Sequence, residues 1–176
     1  MNKFTRRTVI AAACAAAAMT FAPMSFAQQA PEKKDVTIAV GGKSLYYYLP
    51  LSIAEQLGYF KDEGLNVKIV DFQGGSRSLQ AVVGGSADVV SGAFEHTISM
   101  QAKKQPMTAF VLQGRAPQLA LVVSNKTMKD YKQLSDLKGK KVGVTAPGSS
   151  SQMVANFILK KGGLGPKDVA FIGVGS

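Results

Sequence analysis

The 176-residue chain carries 21 lysines and arginines against 11 acidic residues, a net charge of +10, with one cysteine and one histidine. A lone cysteine excludes an internal disulfide framework, and one histidine beside it excludes the usual zinc ligand sets. The length suits one ordinary domain, or one complete lobe plus part of another.

Lys3, Arg6 and Arg7 precede an apolar stretch from Val9 to Ala22, and Ser25-Phe26-Ala27 supplies a small-residue cleavage pattern. This is the layout of a secretory signal peptide. The stretch is alanine-rich and closes at Pro23, short of the roughly 20 apolar residues that a comfortable membrane span needs. The expectation is export to the periplasm, with a signal peptide over 1–27 and a linker over 28–35. Thr5-Arg6-Arg7-Thr8-Val9-Ile10 partly matches the twin-arginine pattern, so that route stands beside the ordinary secretory one. Cys14 follows Arg7 too closely to be a lipid-attachment site and reads as a small apolar residue of the signal. Removing residues 1–27 takes away three basic residues and the cysteine, leaving a net charge of +7.

Val36-Thr37-Ile38-Ala39-Val40 is a β-rich run ending at Gly41-Gly42, and a helical pattern follows from Pro50 to Leu57. Pro50 suits a first helical turn. Gly58 to Leu65 reads as a compact turn into a second strand, Val67 to Phe72. Gly74-Gly75-Ser76 breaks that strand, after which Leu79, Val82 and Val83 recur at helical spacing. The unit repeats: strand Asp88 to Gly92 with helix Phe94 to Lys104, then strand Met107 to Leu112, and strand Leu119 to Val123. Lys141 to Thr145 is a further strand, followed by a helix from Ser151 to Lys161 and a strand from Val169 to Val174. Strands alternating with helices of about ten residues predict an α/β architecture with mainly parallel sheets.

The rhythm breaks between Gln113 and Asp136, where two strands meet without a helix between them. A direct passage of that kind is what a chain needs when it crosses between lobes. The expected organisation is therefore lobe 1 over 36–118 and the start of lobe 2 over 119–176. The final Gly173-Val174-Gly175-Ser176 reads as a strand entering a glycine-rich loop with no helix after it, so the second lobe is expected to be incomplete.

The lysines are densest at Lys126, Lys129, Lys132, Lys138, Lys140 and Lys141, with only Tyr131 among them. A single-strand nucleic-acid platform wants several interleaved aromatics, so a solvated face is expected and no nucleic-acid partner.

Four strand-end loops have the composition of a binding cleft: Gly41-Gly42-Lys43-Ser44, Gly74-Gly75-Ser76-Arg77, Ser91-Gly92-Ala93-Phe94 and Ala146-Pro147-Gly148-Ser149-Ser150. In α/β units such loops converge on one crevice, and free amides at helix starts favour an anion. Gly42-Lys43-Ser44 resembles the end of a phosphate-binding loop, but Thr37 stands where that motif needs glycine. Tyr46-Tyr47-Tyr48 suits either an aromatic wall or core packing. Glu95 and His96 adjoin the third loop as ligand contacts or as structural hydrogen-bonding groups, and Arg77 and Arg115 suit an anionic ligand. The candidate ligand-binding residues are Lys43, Ser44, Tyr46, Gly75, Ser76, Arg77, Gly92, Phe94, Glu95, Gly148, Ser149 and Ser150. No catalytic triad, metal site or cofactor is expected.

Ala54-Glu55-Gln56-Leu57-Gly58-Tyr59-Phe60-Lys61-Asp62-Glu63-Gly64-Leu65-Asn66-Val67, Gly74-Gly75-Ser76, Gly84-Gly85-Ser86-Ala87-Asp88-Val89, Asp136-Leu137-Lys138-Gly139-Lys140-Lys141-Val142-Gly143 and Pro147-Gly148-Ser149 together resemble the periplasmic substrate-binding proteins of nitrate, sulfonate, taurine and bicarbonate type ABC transporters. The resemblance spans about residues 36–176. It implies a periplasmic-binding-protein type II fold of two lobes, a small-molecule solute trapped by hinge closure, a membrane permease as partner, a monomer, and no enzymatic activity. Relatives in the superfamily also bind pyrimidine precursors of thiamin, and some are synthases that use histidine and cysteine. LysR-type regulators share the fold, but a signal peptide stands here in place of DNA-binding helices.

Overall fold

Strand β1 (Asp35–Val40) is central to a three-stranded parallel sheet in the computed structural model, which describes residues 30–176. The expected signal peptide and the first linker residues lie outside the described residues. On one side β1 pairs in full register with β2 (Asn66–Asp71), from Asp35 opposite Asn66 to Val40 opposite Asp71. On the other it pairs with the two-residue β3 (Val89–Val90). A central parallel strand is covered on both faces, and Ile38, Ala39 and Val40 are accordingly buried. Ile38 and Val40 pack with Tyr48 on one face, while Ala39 packs with Ala81 and Ala87 on the other.

A 3-10 turn at Tyr46–Tyr48 leads into helix α1 (Leu49–Gln56), which has proline in its first turn. The stretch expected to be only a turn contains one short helix, α2 (Tyr59–Asp62). Helix α3 (Gly75–Val83) follows β2, and helix α4 (Glu95–Ala102) follows β3. Gly74 caps α3 three residues after β2 ends, and the loop 91–94 leads from β3 to the Phe94 cap of α4.

A second parallel pair, β4 (Lys141–Val144) and β5 (Ala170–Gly173), flanks helix α5 (Ser150–Lys161). It has its own core, in which Leu137, Val142, Ala155, Leu159, Leu164 and Val169 are buried. Two parallel sheets with separate cores establish the expected α/β class.

Two expected strands are absent. Met107 to Leu112 and Leu119 to Val123 enter no ladder. Their apolar patterning is genuine, but a strand exists only when its backbone groups have a neighbouring ladder. Among the described residues none lies alongside them, and Phe110, Leu112 and Val122 are 73%, 75% and 83% exposed. The dense connector lysines Lys126, Lys129, Lys132, Lys138, Lys140 and Lys141 are all exposed, while Tyr131 packs against the second core. No helix of the described residues is long and apolar enough to cross a membrane.

Candidate ligand-binding cleft

The loops after β1, β2 and β4 meet backbone to backbone. A Cβ on Gly41 would collide with the Gly74 carbonyl carbon and the Gly75 nitrogen. A Cβ on Gly74, whose φ is +91°, would lie 3.0 Å from both the Ala146 Cβ and the Thr145 carbonyl carbon. Absent side chains at these two positions let the first sheet's loops touch each other and the second sheet's loop.

Where they touch, α3 and α5 are joined by serines. The Ser76 N–H donates to Ser149 Oγ at 3.0 Å, Ser149 Oγ donates to Ser76 Oγ at 3.1 Å, and Ser76 Oγ donates to the Pro147 carbonyl at 2.9 Å. Ser149 occupies the cap position of α5, yet its hydroxyl makes no capping bond. It is spent on the other sheet's helix instead, at only 2% exposure. Both helices thus begin at one point, where the positive ends of two helix dipoles converge.

Beside this seam lies a second polar group. Gln113, in the segment that passes between the sheets, donates through Nε2 to the Tyr47 carbonyl at 2.6 Å and accepts from Ser91 Oγ at 2.9 Å. The rings of Tyr47 and Tyr48 stack edge to face at 5.0 Å. His96 is 7% exposed, and its Nε2 has no hydrogen-bond partner. That nitrogen sits 3.2 Å from where a Cβ on Gly75 would stand. The neighbouring Glu95 Oε1 is also buried without a partner, and no ion pair among the described residues engages Glu95.

Electrostatics couple these groups. Burial, and then the charge of Glu95, push the Tyr47 hydroxyl above the ordinary phenol range. Burial holds His96 below the usual histidine range, with Glu95 opposing the shift. His96 is therefore a neutral imidazole at pH 7, with one donor and one acceptor nitrogen.

The structure distributes the other candidates unevenly. Gly75, Ser76, Gly148, Ser149 and Ser150 cluster at the α3–α5 seam, where the Gly148 N–H donates to Gln152 Oε1 at 2.7 Å. Gly92 packs near His96, 3.9 Å from its Cδ2 to an added Cβ. Lys43 is engaged elsewhere: its Nζ pairs with Glu55 at 2.7 Å, and its N–H and that of Gly42 both donate to Asp71 Oδ1. Ser44, Tyr46, Arg77 and Phe94 are exposed. Ser91 belongs to the third predicted cleft loop without being a candidate ligand residue, and Gln113 lies outside all four loops. A glutamine closing the apolar run from Met107 was the available signal. Among the described residues no three His, Cys, Asp or Glu side chains gather to hold a metal ion.

Residues 46–176 match the family described as NMT1/THI5 like. A structure from Bordetella bronchiseptica RB50 is similar at 67% identity and a TM-score of 0.80, over 82% of this chain and 45% of that one. The alkanesulfonate-binding protein SsuA from Xanthomonas axonopodis pv. citri, bound to MOPS, shares the fold at a TM-score of 0.56 and 21% identity, over 83% of this chain and 49% of that one. Among curated proteins, the 4-amino-5-hydroxymethyl-2-methylpyrimidine phosphate synthase of Schizosaccharomyces pombe is 27% identical over 80% of this chain and 39% of its own length. YtlA of Bacillus subtilis, named as a candidate binding protein, is 26% identical over 98% of this chain and 51% of its own. The chain thus spans about half the length, or less, of these proteins. The expected likeness to substrate-binding proteins holds in the fold.

Proposed function

Because the chain belongs to the NMT1/THI5-like family, we propose that it is the solute-binding component of an importer, acting in the periplasm and delivering a small polar or anionic organic solute to a membrane permease. The observation that carries this reading is the Ser76–Ser149 bridge, which joins the starts of two helices that belong to different sheets. A ligand oxygen inserted there exchanges a protein–protein hydrogen bond for protein–ligand bonds from both lobes. Only the arrangement with the lobes together offers both sets of donors, so the ligand biases an open–closed equilibrium toward closure.

In this reading Gly75, Ser76, Gly148, Ser149 and Ser150 hold the ligand's acceptor group, with Arg77 as a flanking cation. Gly92, Phe94 and Glu95 line the adjoining wall, and Lys43, Ser44 and Tyr46 sit at the outer rim. The alkanesulfonate-binding neighbour makes a sulfonate a reasonable acceptor group. No catalytic step is proposed. The fungal relative named as a synthase, and the unpartnered His96 imidazole in the cleft, favour a catalytic role as the second reading.

Thermal unfolding of the full chain with sulfonates, carboxylates, nitrate and pyrimidines separates the two. A ligand at about 100 times its Kd adds about 2.7 kcal/mol to a protein that binds it only when folded. Stabilisation with the solute recovered unchanged is the expected result. No shift with any solute, or a new product on incubation, would overturn the binding reading.

A further inference from the structure

The surplus positive charge of the described residues sits in one half of them. Residues 30–112 hold eight basic and eight acidic side chains, whereas residues 113–176 hold ten basic and three acidic ones. Strands β4 and β5 are parallel and α5 runs back between them, so the second sheet has two unlike ends. The carboxyl end of β4 and the start of α5, capped by Ser149, belong to the serine seam. The opposite end collects lysines: Lys138, Lys140 and Lys141 lead into β4, Lys160 and Lys161 close α5, and Lys167 precedes β5. Lys132 joins them, because it and Lys161 line one shallow groove beside Gly162. All seven are exposed. The helical residues from Ser150 to Lys161 rise about 18 Å, which sets this lysine pole well away from the cleft.

We propose that this pole docks on the surface of an anionic phospholipid membrane. The acidic residues beside it are engaged locally and do not neutralise it. Asp136 Oδ2 accepts the backbone N–H groups of Lys132 and Gln133 at 2.9 and 3.0 Å, and Asp168 Oδ2 accepts that of Gly165 at 2.7 Å. Of the seven lysines only Lys138 has a carboxylate within ion-pair reach among the described residues, Asp168 Oδ1 at 3.9 Å. The helix dipole accounts for Lys160 and Lys161, and Lys161 also lies 4.9 Å over the Phe157 ring. Lys132, Lys140, Lys141 and Lys167 have neither role. The choice of side chain then selects the partner: Arg115 aside, residues 113–176 contain no arginine. Protein interfaces favour arginine and are poor in lysine, and the clamping of a discrete phosphate or carboxylate uses the arginine fork. Lysine is a hydrated point charge on a flexible stem, suited to a smeared negative layer of headgroups with no fixed geometry. A single-stranded nucleic acid is served less well, since Tyr131 packs against the second core and offers no face to a base. In the binding component of an importer, docking by this pole holds the cleft near the permease while leaving it turned to the solution.

Flotation of the full chain with vesicles tests this, using phosphatidylcholine alone against a mixture with about one third phosphatidylglycerol. At low salt the anionic vesicles are expected to bind about tenfold or more tightly than the neutral ones, and to lose most of that advantage in high salt, which screens exposed charges. Residues 1–29 are present throughout, so the deciding comparison is between two variants of equal net charge. K138Q/K140Q/K141Q/K167Q takes its charges from the pole, and K61Q/K68Q/K103Q/K104Q takes as many from exposed positions of the first half. The pole variant is expected to bind anionic vesicles about tenfold or more weakly than the parent, and the control to stay within about twofold of it. Should the pole variant not fold, K140Q/K167Q alone is expected to lose about threefold or more. Equal affinity of the parent for both kinds of vesicle, equal losses in the two variants, or tighter binding to duplex DNA than to anionic vesicles at matched phosphate concentration would overturn this inference. None of these outcomes bears on the solute reading, which the thermal unfolding series decides separately.

Discussion

The Ser76 backbone N–H donates to the hydroxyl of Ser149 at 3.0 Å, across 73 residues of sequence. Ser149 is almost wholly buried while Ser76 is only partly buried, so the two serines are unequal partners in one bridge. Ser149→Ala leaves the Ser76 amide and hydroxyl without their mate and is expected to cost about 1–3 kcal/mol. Ser76→Ala keeps the amide-to-Ser149 bond and is expected to cost about 0.5–1.5 kcal/mol. Urea unfolding midpoints measure both. Equal losses in the two variants would mean that the bridge is not asymmetric.

Close backbone approach makes a sharper prediction at Gly41. Its added Cβ would overlap the Gly74–Gly75 peptide, and backbone cannot rotate aside as a side chain does. Gly41→Ala is expected to destabilise by about 2–4 kcal/mol or to prevent folding, as overpacking against fixed atoms does. Gly58→Ala is the control: that glycine, unlike Gly41, has a positive φ, +80°, but nothing lies within 4 Å of the added carbon. It should cost only about 1 kcal/mol, the conformational penalty alone. Thermal midpoints of the two variants, compared directly, check the order.

Asp71 holds the first loop through two backbone amides, from Gly42 at 2.7 Å and Lys43 at 2.9 Å. The same loop has the Lys43–Glu55 ion pair. A partly exposed pair of this kind is worth about 0–1 kcal/mol, whereas a carboxylate serving two amides is worth more. Asp71→Ala is expected to raise hydrogen exchange at Gly42 and Lys43 by about tenfold, the equivalent of about 1.4 kcal/mol, and Lys43→Ala by less than about threefold. The reverse order would assign the loop's rigidity to the ion pair.

Much of this arrangement was legible in the sequence because it is local. Val36 to Val40 forms its strand, Pro50 starts its helix, and Gly74-Gly75-Ser76 opens α3, each through short-range patterning that needs no distant partner. The strands expected at Met107 to Leu112 and Leu119 to Val123 failed for the opposite reason. A ladder requires a neighbour, and periodicity shows only that one is wanted. The site divides in the same way. Serines 76 and 149 were readable from loop composition, but Lys43 was not separable from them, since its engagement with Glu55 depends on how α1 returns beside the loop. Gln113 had no motif to mark it. It matters because three segments, carrying Ser91, Tyr47 and Gln113, come together in space.

The buried imidazole gives the stability a pH dependence whose sign can be fixed. Burial lowers the pKa of His96 in the folded chain, while in the unfolded chain it titrates at its ordinary value of about 6.5. As pH falls through that value the unfolded state takes up a proton that the folded state refuses. Unfolding is then favoured by proton uptake, and stability falls with decreasing pH until the folded-state pKa is passed. Asp88, held below the ordinary carboxylate range by Lys33 and by the Thr37 amide, loses its contribution only in the more acidic range where carboxylates titrate, so the two effects occupy different windows. Urea unfolding at pH 7.5 and pH 5.5 should therefore show the lower midpoint at pH 5.5. His96→Gln, which keeps a polar group of similar reach but cannot titrate, should narrow that difference. A midpoint that rises on acidification in the parent chain, with that rise lost in His96→Gln, would show that His96 is protonated in the fold, whereas an unaltered difference in His96→Gln would assign the pH dependence to other groups. In the first case the cleft would offer a cation beside Glu95 in place of a neutral imidazole.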